Sequence, residues 1–153
     1  MAVQTWNPEP APVGAEAAER TVARLLRSKD VSLKDASRRI EEGLPFRVFA
    51  ELCEALRLTQ AEFAALLRIS ESTLYRRKAA GRFEATESDR LWRYVVLYAR
   101  AVEVLESAAA AVEWLHAPAA ALGEGAPLDV AKDGPGTERA LAILGRMEHG
   151  VFG

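Results

Sequence analysis

With a single cysteine the chain forms no internal disulfide, and Cys53, on an apolar helical stripe, reads as a small buried hydrophobe suited to a reducing compartment. No apolar run approaches the roughly 18 residues that would suggest a membrane span. Nor does the start resemble a secretory leader, so an unexported, cytoplasmic protein without membrane contact is expected. The two histidines, His116 and His149, stand apart, and no His, Cys or carboxylate pair has metal-ligand spacing. Serine, threonine and histidine form no local nucleophile motif. The segment GEGAPLD lacks the preceding strand and the lysine of a phosphate cradle. No enzyme, cofactor or metal is expected.

A strong basic balance is also missing, since the net charge is -2. Its distribution is uneven, however. Residues 57–100 hold nine basic against five acidic side chains, whereas residues 101–153 hold three against eight. A positive middle and a negative C-terminal third suit a chain that meets nucleic acid at one end and something else at the other. Half of the residues are hydrophobic, ample for a packed core at this length.

The positive region contains LTQAEFAALLRISESTLYRRKAAG, Leu58 to Gly81. Thr59 with Glu62 three residues on is a capping box, and Phe63, Leu66 and Leu67 give one apolar face, which predicts a helix from Gln60 to Leu67. Arg68, Ile69 and Ser70 form a turn. Ile69 plugs inward and Ser70 caps a second helix, from Glu71 to about Ala80, ended by Gly81. This is a helix-turn-helix pattern over residues 59–81. On DNA, Ser72, Thr73, Arg76 and Arg77 are the candidates for base edges, with Gln60, Ser70, Tyr75, Lys78 and Arg82 on phosphates. The same residues also describe a helical hairpin with a solvated charged face. Arg68 sits where such turns usually have glycine, and there it must accept a left-handed conformation at a cost of about 1 kcal/mol or reshape the turn.

Residues 1–14, with Pro8, Pro10 and Pro12, read as a mobile arm in which Trp6 has a docking rather than a chemical role. Helices are expected from Ala15 to Ser28, from a Ser32 cap to Gly43, and from Pro45 at a first helical position through Leu56. Thr86, with Asp89 as partner, is expected to cap a long helix reaching Leu105. Its Trp92, Tyr94 and Tyr98 fit either core packing or a ligand box. Ser107 caps a further segment through Leu115. Residues 117–136 carry four of the ten glycines and three of the seven prolines, which predicts loop with one turn at Leu128–Ala131 started by Pro127. A last helix is expected from Thr137 to Glu148. The fold class is therefore all-α: an arm over 1–14, a helical DNA-binding domain over 15–100 joined by the long helix, and a small C-terminal helical domain over 101–153.

Two stretches resemble the Xre-type antitoxins of bacterial toxin-antitoxin pairs. They are LTQAEFAALLRISESTLYRRKAAGRF with the following ESDRLWR, and AVEWLHAPAAALGEGAPLDVAKDGPGTERALAILGRMEHGVFG. The resemblance covers roughly residues 40–153. It implies an Xre-like helix-turn-helix followed by an Xre/MbcA/ParS toxin-binding domain. It also implies a partner: a RES-domain toxin, similar to ADP-ribosyl transferases, that depletes NAD. In the family the C-terminal end covers the toxin's active-site entrance, and the complex represses its own operon. Matched to that pattern are the loop residues Leu122, Gly123, Pro127, Leu128 and Asp129. The terminal match is Arg146, Glu148, His149, Gly150, Val151, Phe152 and Gly153. Ala131, Lys132 and Asp133 depart from the Leu or Leu-Ala then Thr of related sequences. The loop motif has an alternative structural role as the start of a helical turn.

The implied function is an antitoxin that neutralises a RES-type toxin and represses its own operon, acting at operator DNA as a homodimer or higher oligomer, since two half-sites are the usual route to affinity. The alternative is a stand-alone helix-turn-helix regulator whose C-terminal domain dimerises or senses a ligand.

Overall fold

The computed structural model describes residues 15–27 and 33–150. Helices account for the architecture: α1 (Ala15–Leu26), α2 (Leu33–Glu42), α3 (Phe46–Leu56), α4 (Gln60–Leu66), α5 (Glu71–Ala80), α6 (Ala85–Leu105), α7 (Ala108–His116), α8 (Pro127–Val130) and α9 (Gly134–Glu148). A short 3-10 turn covers Ala120–Leu122. Among the described residues the one β-type pairing is an isolated antiparallel bridge between Pro45 and Arg82. The Trp6 arm and the Ser32 cap lie outside the described residues.

The 21-residue helix α6 is the axis of the fold, about 30 Å long at 1.5 Å per residue. It packs against α1, α2, α3, α7 and α9. That is why Leu91, Tyr94, Val95, Leu97, Tyr98, Ala99 and Ala101 are all buried. One face of an amphipathic helix cannot bury that many positions; contacts on several sides can. Tyr94 and Tyr98 are therefore core residues, and Trp92 packs half-buried against the same cluster.

Aromatic stacking joins the supporting helices to the helix-turn-helix. Phe49 stacks on Phe63 at 5.1 Å between ring centroids, and Phe63 meets Tyr94 edge-on at 5.3 Å. Phe83 stacks on Phe46 at 5.4 Å. Burying each of these rings stabilises the fold by about 1.5–3 kcal/mol, with up to about 1.5 kcal/mol more per pair from ring geometry. Around the bridge, Phe46 N–H donates to the Gly81 carbonyl and Phe83 N–H to that of Leu44, both at 2.9 Å. The Leu44 amide donates to Ser88 Oγ at 2.8 Å. The chain entering α3 is thus tied to the chain leaving α5.

Several expected boundaries shift. Pro45 is the extended cap residue of α3, not its first helical position. The long helix begins at Ala85, because Glu87 rather than Asp89 reaches back, accepting from the Glu84 amide at 3.0 Å, and Thr86 already lies inside the helix. α9 begins at Gly134 rather than Thr137. Asp133 caps it by accepting from the Gly136 amide at 2.7 Å, and Pro135 falls in the first turn, where its missing donor costs nothing. Gly136 is buried there: a Cβ would stand 1.7 Å from the Val130 carbonyl oxygen, so this glycine permits close packing rather than a loop.

Candidate nucleic-acid and partner interfaces

α4 opens with the expected capping box. The Glu62 amide donates to Thr59 Oγ1 at 3.0 Å, and the Thr59 amide donates to Glu62 Oε1 at 2.8 Å. At the turn, Arg68 adopts φ 56°, the left-handed conformation that its place requires. Ile69 is buried, and Ser70 caps α5 by accepting from the Thr73 amide at 3.2 Å. No side chain of α5 is fully buried, and Leu74 is half-buried against the core. Tyr75, at 75% exposure, is the large hydrophobic most open to solvent among the described residues.

The predicted contact residues separate into groups. Ser72, Tyr75, Arg76 and Lys78 are exposed, and Arg76 Nη2 donates to Thr73 Oγ1 at 3.0 Å, which aligns those two side chains. Ser70 Oγ lies 3.3 Å from Ser72 Oγ. Gln60, Tyr75 and Lys78 come together along a groove of about 390 Å³ between α4 and α5. Arg82 is exposed but lays its guanidinium on the carbonyls of Glu42 and Gly43 at the end of α2.

Arg77 differs from the rest of the row. Its Nε donates to Glu87 Oε1 at 2.6 Å, and its Nη2 donates to Glu87 Oε2 and Glu84 Oε2, each at 2.9 Å. Only 14% of its side chain is exposed. It lies about 100° around the helix from Arg76 and faces α6, so the structure does not place it with the exposed Ser72 and Arg76, and Thr73, one turn before it, is half-buried between the two sides.

In the C-terminal third, Leu122, Pro127 and Leu128 are buried, and Gly123 ends the 3-10 turn at φ 72°. The loop motif thus builds local structure. Asp129 is exposed beside a groove of about 440 Å³ that α4 shares with this region, lined by Arg57, Leu66, His116 and Leu128. His116 Nε2 is 2.6 Å from the Leu56 carbonyl oxygen. Arg146, His149 and Gly150 are exposed. Glu148 is turned onto α6, where both its oxygens meet Arg100 at 2.7 and 2.9 Å. Val151, Phe152 and Gly153 lie outside the described residues.

Sequence reasoning missed Glu87 and Arg100. For Glu87 a signal was present: it is three residues past Glu84, the capping-box spacing. Among the described residues no group of His, Cys, Asp and Glu is arranged to hold a metal ion, and no helix is long and apolar enough to cross a membrane.

Fold and surface together define a two-part all-helical protein, a helix-turn-helix module followed by a second helical unit on a shared long helix. Residues 35–96 match the antitoxin Xre-like helix-turn-helix domain, and residues 100–150 match the antitoxin Xre/MbcA/ParS C-terminal toxin-binding domain. Both matched domains are domains of Xre-type antitoxins, and they follow one another along the chain in that order. It is 33% identical over 84 residues to a protein of Yersinia enterocolitica called Antitoxin Xre, across 54% of this chain and 57% of that relative's length.

Proposed function

We propose that this chain is an antitoxin that neutralises a cognate RES-type, NAD-depleting toxin by covering its active-site entrance, and that it represses its own operon through α4 and α5. The observation that carries this reading is the pairing, on one chain, of a helix-turn-helix match and a toxin-binding match. The charge division supports it, since a basic module suits phosphates and an acidic third suits a cleft that holds a dinucleotide. In this reading residues 15–100 serve DNA and residues 101–153 serve the toxin, the protein acts in the cytoplasm as a homodimer or larger assembly, and it performs no catalysis of its own. Arg146, His149, Gly150 and the final Val151, Phe152 and Gly153 make the toxin contact. Leu122, Gly123, Pro127, Leu128 and Asp129 shape the unit that presents them.

The test is an affinity pull-down from native cells with the full chain and with a version ended after Glu148, the bound proteins being identified by mass spectrometry. Capture of an NAD-consuming enzyme by the full chain, lost on truncation, is expected. Equal capture by both versions removes the terminal plug. Recovery of the chain and DNA alone makes the protein a stand-alone regulator.

A further inference from the structure

α5 has a mechanical problem. A helix that reads bases must be held at a defined rotation about its own axis, yet no side chain of α5 is fully buried, and Leu74 contributes only a half-buried apolar contact. Apolar packing alone leaves that rotation loosely specified. A directional tie is present instead: the two-pronged pairing of Arg77 with Glu87. Glu87 is itself fixed, because its Oε1 also accepts the Glu84 amide and its helix is anchored one turn later by the fully buried Leu91. Burial by itself would push the Glu87 carboxyl up, but Arg77 and the Glu84 amide together hold it below the usual carboxylate range, so it stays ionised at neutral pH. Planar bidentate pairing constrains direction as well as distance.

We infer that Glu87 is a positioning residue for DNA reading, setting the rotation of α5 through Arg77 so that Ser72 and Arg76 face outward with the half-buried Thr73 at their edge, while Arg77 itself touches no DNA. This rests on the proposal that α5 reads DNA. It assigns a task to an acidic side chain that simple electrostatics would count as a hindrance near a polyanion.

That opposition makes the idea testable. Glu87→Gln removes a negative charge beside the basic module, so long-range electrostatics alone predicts tighter DNA binding, whereas a positioning role predicts weaker specific binding. Glu84→Gln removes the same charge from a carboxylate that is 72% exposed and leaves the bidentate pair intact. Binding of the full-length variants is measured to a duplex from the promoter region of the chain's own gene and to a scrambled duplex of the same length. Hydrogen exchange of the α5 amides is followed in parallel.

For Glu87→Gln, specific affinity is expected to fall on the order of tenfold, within the range for losing one base-contacting side chain. Scrambled-duplex binding should be unchanged or slightly tighter, α5 exchange faster, and Glu84→Gln near wild type. Should Glu87→Gln fail to fold by circular dichroism, Arg77→Lys, which keeps the charge but not the fork, is expected to show the same selective loss. Tighter or unchanged specific binding in whichever variant folds overturns the positioning role, and faster α5 exchange with intact affinity marks the pair as purely stabilising. No preference of the wild-type chain for the promoter duplex, with Arg76→Ala equally indifferent, overturns the DNA reading and the inference together.

Discussion

The Tyr94 hydroxyl donates a 2.8 Å hydrogen bond to the carbonyl oxygen of Leu128, joining the middle of α6 to the single turn of α8. Both residues are buried, at 2% and 3% exposure, and burial pushes the Tyr94 phenol well above its ordinary pKa, so it remains a donor at any physiological pH. Tyr94→Phe keeps the ring that meets Phe63 and removes only the donor, leaving a buried carbonyl unmet. The expected loss is about 1–3 kcal/mol of unfolding free energy by urea denaturation. Faster hydrogen exchange should appear first around Pro127–Val130. A change confined to the helix-turn-helix contradicts the assignment.

Gly43 and Gly81 stand near the two ends of the same tie, both with positive φ, yet their substitutions should differ. At Gly43, φ is 92° and a Cβ would lie 2.1 Å from the Phe83 carbonyl oxygen; at Gly81, φ is 79° and the space is open. Gly81→Ala bears only the left-handed strain, about 1–2 kcal/mol. Gly43→Ala must also displace the Leu44–Phe83 pairing, and on the order of 2–4 kcal/mol is expected. Equal midpoints for the two variants in thermal unfolding would show that the crowding at Gly43 relaxes freely.

Local chemistry makes much of this fold legible in the sequence. Thr59 with Glu62, Ser70 before Glu71 and Gly81 after Ala80 each act within one helical turn, and all three stand where the pattern placed them. What pattern could not supply was the inside of the C-terminal third. Gly134, Pro135 and Gly136 look like loop by composition and are helical, because Asp133 caps them and Gly136 must lie against the Val130 carbonyl, a tertiary demand. The face of α5 was legible only in part. A row of basic residues marks a charged helix, but whether Arg77 points out or in depends on a carboxylate ten positions away on another helix.

Arg76 and Lys78 should respond differently to substitution if α5 reads DNA. Arg76 is exposed beside Thr73, on the outward face. Its change to alanine is expected to cost about 1–3 kcal/mol on the promoter duplex and to relax sequence preference. Lys78 lines the groove toward α4, and Lys78→Ala should weaken specific and scrambled duplexes alike, reducing the slope of log affinity against log salt by about one. Fluorescence anisotropy across a salt series separates the two. Identical salt slopes for all three proteins would remove Lys78 from the phosphate contacts.

Acid should unfold the protein through its clamped carboxylates. The Glu148 carboxyl is held below the ordinary range by the Arg100 guanidinium, and Glu87 is held below it by Arg77 and the Glu84 amide despite its burial. A carboxylate whose pKa is lower folded than unfolded leaves the unfolded chain binding more protons between the two values, so stability there rises with pH. The contribution is complete above the unfolded glutamate value of about 4.3 and is lost as pH falls through the folded one. Urea unfolding is therefore expected to give a nearly constant free energy from about pH 7 to about 5, then a decline below about 4.3. Glu148→Gln should be less stable at neutral pH, because the charge on Arg100 loses a partner, and its acid decline should be shallower, because one titrating group is gone. If its curve ran parallel to that of the wild type down to about pH 3, Glu148 would not be among the groups that couple folding to protons. The Arg100 contact would then hold the end of α9 no better in one charge state than in the other.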